Sequence, residues 1–232
     1  MLGDLWSFQG RYRTLHLTWI AFFLTFVVWF NLAPLATTVK ADLGLTVGQI
    51  RTVAICNVAL TIPARVLIGM LLDKFGPRIT YSSILVFSAI PCLLFASAQS
   101  FNQLVVARLL LSIVGAGFVI GIRMVAEWFP PKEIGLAEGI YGGWGNFGSA
   151  FSALTMVALA GFLSFSGGFE LPTGTVLNWR GAISLTGIVS AVYGLFYFFN
   201  VTDTPPARPI SALRKPQAWR SPPCATSGVC SA

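Results

Sequence analysis

Long apolar runs alternate with short polar breaks along this chain. Six runs, roughly 17–39, 48–72, 79–98, 102–125, 134–162 and 180–200, approach or exceed the ~20 residues that a helix needs to cross a bilayer. The breaks between them are distinct. Lys40, Asp42 and Gly44 separate the first two runs, and the turn Asp73-Lys74-Phe75-Gly76-Pro77-Arg78 separates the next pair. Ala98-Gln99-Ser100 is uncharged, and Trp128-Phe129-Pro130-Pro131-Lys132-Glu133 holds two prolines that cannot continue a helix. Residues 163–179 form a Gly-rich loop. Trp19, Tyr81, Trp128 and Trp179 sit near run ends, where interfacial aromatics anchor spans. The pattern predicts an all-α membrane protein of six transmembrane helices. Its parts are a polar arm (1–16), a bundle (17–201) and a Pro-, Ser- and Arg-rich tail (202–232). The tail reads as disordered, and a shifted reading frame would produce the same abrupt change.

Composition agrees with lipid as the solvent. The chain of 232 residues is 55% hydrophobic and 10% charged, where soluble domains are about a quarter charged. Mean hydropathy is +0.76. The net charge of +7 does not indicate a nucleic-acid partner, because the charge is spread over loops and the aromatics lie in apolar runs. It sets topology instead. With the N-terminus in the cytoplasm, ten Lys and Arg fall inside, three (Lys40, Arg51, Arg180) fall outside, and Arg65 and Arg108 lie within spans. That asymmetry predicts both termini inside. Cys56 and Cys92 lie in apolar runs, and Cys224 and Cys230 in the tail are too irregular for a zinc site. The first run is too long for a cleavable signal, and no clear small-residue cleavage site follows it. Residues for catalysis, a metal or a cofactor are not evident: no nucleophile–base set, ligand cluster or phosphate loop is found.

Arg65 is the leading candidate for chemistry. It precedes Asp73 by eight positions, about 12 Å along a helix. An unpaired arginine near a bilayer centre costs roughly 2.5–3.5 kcal/mol. No Asp or Glu lies mid-span; Glu127 and Glu138 are near the inner edge, and His16 is also at an edge. A bound anion is then the simplest partner, and the guanidinium fork suits a planar oxyanion. The alternative is a structural arginine bonded to helix carbonyls. The fifth run, Gly139 to Ser149, has glycines at 139, 142, 143, 145 and 148 with Asn146 among them. Such glycines admit close helix packing or let backbone approach a small ligand. Asn146 shapes the site or bonds a neighbouring helix. Phe118 presents a ring beside the anion or simply packs. Arg108 has a structural or gating role, and Arg123 pairs with Glu127 four residues on.

Gly69, Asp73, Lys74, Gly76 and Arg78 are spaced as in the cytoplasmic loop motif of the major facilitator superfamily, which this segment resembles. The resemblance covers about residues 15–205. It implies one half of that fold, and a latching rather than substrate-binding role for these five residues. The run Gly143-Trp144-Gly145-Asn146-Phe147-Gly148 looks like the Gly-rich fifth-span motif of the nitrate/nitrite porters, a branch of that superfamily. Arg65 falls where that branch carries a substrate arginine. Arg108-Leu-Leu-Leu-Ser-Ile-Val-Gly115, Glu127-Trp128-Phe129-Pro130 and Asn178-Trp179-Arg180-Gly181 match as well, with Ser112 where many members have Gly.

The resemblance implies transport of nitrate or nitrite by alternating access, nitrate assimilation and a bacterial inner membrane. Arg65, Asn146, Gly143, Gly145 and Phe118 would form the substrate site. Symport and exchange stay equally open. The family's second arginine belongs to its other half, so the expected partners, besides lipid, are a second six-helix half or a second copy. A truncated or regulatory half that transports nothing alone, and a carrier for another small anion, are the alternatives.

Overall fold

The computed structural model describes residues 8–171 and 174–205. The arm through residue 7 and the tail from 206, with Cys224 and Cys230, lie outside the described residues. The described helices are α1 (Gly10–Phe30), α2 (Ala36–Asp42), α3 (Val47–Ala59), α4 (Thr61–Phe87), α5 (Ala89–Ser97), α6 (Phe101–Ser112), α7 (Gly117–Trp128), α8 (Ile134–Phe162) and α9 (Trp179–Asn200). The 3-10 turn Ala33–Leu35 links α1 to α2, and Ile113–Ala116 links α6 to α7.

Helix α1 starts at Gly10, inside the arm expected to be polar. It extends that far because its arginines find partners. Arg11 pairs with Glu133 at 2.8 Å, and Arg13 donates to Asn200 Oδ1 at 2.8 Å. The Gly-rich loop also holds structure that sequence pattern did not reveal. Strand β1 (Phe169–Glu170) pairs antiparallel with β2 (Val176–Leu177). Strands of two residues are too short to carry a periodic signal.

Five continuous stretches are long and apolar enough to cross a membrane: Gly10–Asp42, Val47–Ser97, Phe101–Trp128, Ile134–Ser166 and Trp179–Asn200. The second is two passes folded at Gly76. Asn57 and Phe95 both meet the Arg108 guanidinium, at 3.2 Å and with the ring centroid at 4.3 Å. A straight helix would hold those two residues about 57 Å apart. The chain reverses where Gly76 takes φ 80 and ψ 166, a conformation open to glycine and strained for other residues. The molecule is therefore a six-pass helical bundle. The end holding Gly76 also holds the α1 start and the α9 end. The β1–β2 hairpin marks the opposite end.

Packing follows from small residues. Helix α1 lies along α8, and α9 lies along α4 and α5. The α1–α8 approach depends on Gly145 and Gly148. A Cβ on Gly145 would fall 1.6 Å from Phe22 Cδ1, and one on Gly148 would fall 2.3 Å from the Phe23 carbonyl oxygen. Phe22 is fully buried and stacks on Tyr141 at 4.9 Å. Gly143, two positions away, has nothing within 4 Å.

This contrast gives a prediction. Gly145→Ala should overpack the α1–α8 seam and cost about 1–3 kcal/mol. Gly143→Ala should cost nothing or stabilise slightly. Thermal melting of the detergent-solubilised chain separates the two; equal melting temperatures would contradict the packing account.

Candidate functional site

The two in-span arginines have opposite surroundings. Arg108 is fully buried. Its Nη2 donates to Asn31 Oδ1 at 2.9 Å and its Nη1 to Asn57 Oδ1 at 3.2 Å. Both amides are fixed from behind: Asn31 Nδ2 donates to Thr186 Oγ1 at 3.0 Å, and Asn57 Nδ2 to the Trp29 carbonyl at 2.9 Å. This node joins α1, α3, α6 and α9. Arg108 is thus a core residue, which favours the structural side of the sequence reading. Asn31 and Asn57 were missed in the sequence. They carry the same signal as Asn146, a polar amide in an apolar run that needs a partner.

Arg65 is exposed on α4 and makes no hydrogen bond or ion pair with a described residue. Its neighbours on the same open side, Ile62, Val66 and Met70, are exposed as well. The helix is secured one turn earlier. Leu60, between α3 and α4, donates its N–H to Ser112 Oγ at 3.1 Å, and the Thr61 hydroxyl donates to the Ser112 carbonyl at 3.2 Å. Ser112, noted as a departure from the family glycine, therefore supplies an acceptor where α3 breaks.

The other expected site residues divide. Asn146 is exposed on α8 and bonds its own helix, with Nδ2 donating to the Gly142 carbonyl at 2.7 Å. Gly143 is open, whereas Gly145 is buried against Phe22. Of the two uses that glycine allows here, Gly145 has the packing one. Phe118 is half-buried on α7, 5.4 Å from the Phe22 ring and 6.3 Å from Tyr141. Its ring belongs to a cluster joining α1, α7 and α8. No bond joins Arg65 to Asn146 or Phe118 among the described residues. Trp144 and Phe147 stand exposed beside Asn146 and pair with Trp19 and Phe23, respectively.

The charged turn has a fixed part and an open part. Arg78 Nε donates to the Phe198 carbonyl at 2.7 Å, and its guanidinium lies 4.3 Å from the Phe198 ring. Asp203 Oδ1 accepts the Arg78 N–H at 2.7 Å. Gly76 stands at the cap position of the helix that Pro77 begins, and glycine has no side chain to cap with. Asp203 does so from beyond the end of α9, favoured by the helix dipole. Trp128 Nε1 holds the same segment through the Asp203 carbonyl at 3.2 Å. The sequence boundary at Val201 assigned Asp203 to the tail, and nothing in local pattern marks it as a cap for a turn so distant in the chain. Gly69, Asp73 and Lys74 are the open part. Gly69 has nothing within 4 Å, Lys74 is exposed, and Asp73 only grazes Arg123 at 3.4 Å. Arg123 forms its close pair with Glu127 at 2.6 Å, as the spacing predicted.

Known proteins match the chain in sequence and in fold. Residues 18–231 match the model of the Major Facilitator Superfamily. The chain is 62% identical over 222 residues to the nitrate/nitrite transporter NrtP of Picosynechococcus sp., covering 90% of this chain and 42% of that one. It is 61% identical over 206 residues to NrtP of Nostoc punctiforme, covering 88% and 40%. A probable nitrate/nitrite antiporter NarK1 of Thermus thermophilus is 31% identical over 223 residues, covering 90% and 48%. The chain thus spans less than half the length of these relatives. Among solved structures, a bacterial homologue of the human lysosomal transporter Spinster, inward-facing and occupied, aligns with TM-score 0.68 at 21% identity. That alignment covers 86% of this chain and 46% of that one, and it bears on the fold alone.

The Asp203 cap gives a second prediction. Asp203→Ala should remove about 1 kcal/mol from the turn and speed hydrogen exchange at the Arg78 amide. Asp203→Asn keeps an acceptor and should recover most of the protection. Unchanged exchange in Asp203→Ala would contradict the cap.

Proposed function

The chain belongs to the Major Facilitator Superfamily, and on that premise we propose that it is the N-terminal half of a carrier for nitrate and nitrite. The observation that carries this reading is Arg65, a cation on an open helix face inside a membrane span with no described partner. A small planar oxyanion would accept two parallel N–H bonds from its fork. Asn146, whose amide nitrogen keeps a second N–H besides the one given to the Gly142 carbonyl, and Gly143, with open space above its Cα, would shape the site from α8. Trp144 and Phe147 flank them as bulky rings that favour a small anion over a larger organic acid.

The relatives' names support the substrate, and their length supports a second half. A lone bundle would leave Arg65 and Asn146 facing lipid. A second six-helix half or a second copy would cover that face and place the anion near the midplane, as in two-bundle carriers. Gly69, Asp73 and Lys74 remain open to meet it, while Gly76 and Arg78 keep the turn rigid. The Lys and Arg distribution supports both termini on the cytoplasmic side, and the relatives' organisms support a bacterial inner membrane.

Nitrate uptake tests the assignment. The chain is expressed with the C-terminal half of the Picosynechococcus relative in cells lacking their own uptake, in parent and Arg65→Lys forms. Lysine keeps the charge and loses the fork, so the apparent KM should rise tenfold or more at equal protein level. An unchanged KM would remove Arg65 from the site.

A further inference from the structure

We propose that Arg108 is a buried, uncompensated positive charge that strengthens anion binding at Arg65 without touching the anion. The inference rests on the reading of Arg65 as the anion's ligand.

The partners of Arg108 are all neutral. They are two amide oxygens and the Phe95 ring, and its Nε, also buried, has no hydrogen-bond partner among the described residues. Other arginines of the bundle meet carboxylates: Arg11 meets Glu133, Arg123 meets Glu127, and Arg180 meets Asp42. No described carboxylate forms an ion pair with Arg108. Guanidinium does not give up its proton in proteins, so the charge persists. The amides satisfy its hydrogens without cancelling its charge. They are also held with oxygen toward the cation, because their NH2 groups are bound to Thr186 and Trp29 on the far side.

The node is close enough to act on Arg65. Asn57 precedes Arg65 by eight positions, a rise of about 12 Å along the span that sets the scale of the separation between the two charges. The path between them runs through protein and lipid, where salt screens little. At an effective dielectric constant near 20, a unit charge at about 12 Å changes the affinity of a monovalent anion about tenfold. An anion site that carries its own binding cation and a second one behind it also disfavours cations and gives neutral solutes no comparable gain.

Asn57→Asp and Asn31→Asp test this by neutralising the node while leaving Arg108 and the side-chain volume in place. Nitrate dissociation constants are measured on the chain reconstituted with the C-terminal half of the Picosynechococcus relative, in gluconate buffer, with melting followed in parallel. Each variant should bind nitrate about tenfold more weakly. Asn31→Asp should melt at or above the parent temperature, because the Thr186 hydroxyl can turn to donate to the carboxylate, whereas Asn57→Asp sets a carboxylate oxygen against the Trp29 carbonyl and should melt lower. A merely structural Arg108 predicts nitrate affinity unchanged, and that result in either folded variant overturns the proposal. Failure of both variants to fold also overturns it, since a carboxylate beside an uncompensated cation should be accepted. Arg65→Ala in the same assay separates the two claims. If nitrate binding survives Arg65→Ala, or the parent binds no nitrate, the site reading itself fails. If Arg65→Ala abolishes binding but the Asp variants bind like the parent, only the role of Arg108 fails.

Discussion

A guanidinium inside hydrocarbon must find its partners in protein or ligand, because no water is there to supply them. Two residues of this chain fall under that constraint, and the bundle treats them differently. Around Arg108 it builds a closed shell of Asn31, Asn57 and Phe95, with Thr186 behind Asn31, that joins α1, α3, α5, α6 and α9. Around Arg65 it builds nothing from the described residues. The first arrangement explains why the α1, α3, α6 and α9 segments meet where they do. The second leaves a cation without a described protein partner on an exposed helix face.

The remaining architecture serves these two placements. Gly145 and Gly148 bring α1 against α8, which leaves Asn146 and Gly143 on the opposite side of that helix. Ser112 secures the break before α4, and so fixes the helix that presents Arg65. At the Gly76 end, Asp203 and Phe198 hold the turn against α9. The turn is thus rigid on its inward side and unoccupied along Gly69, Asp73 and Lys74. A latch needs that combination: a fixed base and a free contact surface.

Much of this was readable from the chain. The apolar runs located the passes because hydrocarbon demands about twenty apolar residues and permits few exceptions. The turn at Asp73–Arg78 was legible because its charged residues, Gly76 and Pro77 stand together in the sequence. What escaped was non-local or too short. Asp203 caps a helix from far along the sequence, and no nearby residue announces it. The partners of Arg108 were visible as polar amides in apolar runs, but which amide met which arginine depended on how the passes fold together. The β1–β2 hairpin was too brief to leave a period. Gly143 and Gly145 looked equivalent in the glycine run, and only their opposite facing on α8 separated a packing residue from an open one.

The account stands or falls on what Arg65 touches. Solid-state NMR of the chain labelled with ζ-13C arginine, reconstituted with the unlabelled C-terminal half of the Picosynechococcus relative and 15N nitrate, measures that contact directly. A bidentate guanidinium–nitrate pair places the two labels about 4 Å apart, so a dephasing signal is expected that disappears in Arg65→Lys. A nitrate contact that persists in Arg65→Lys, or no arginine contact under conditions where nitrate binds, would contradict it.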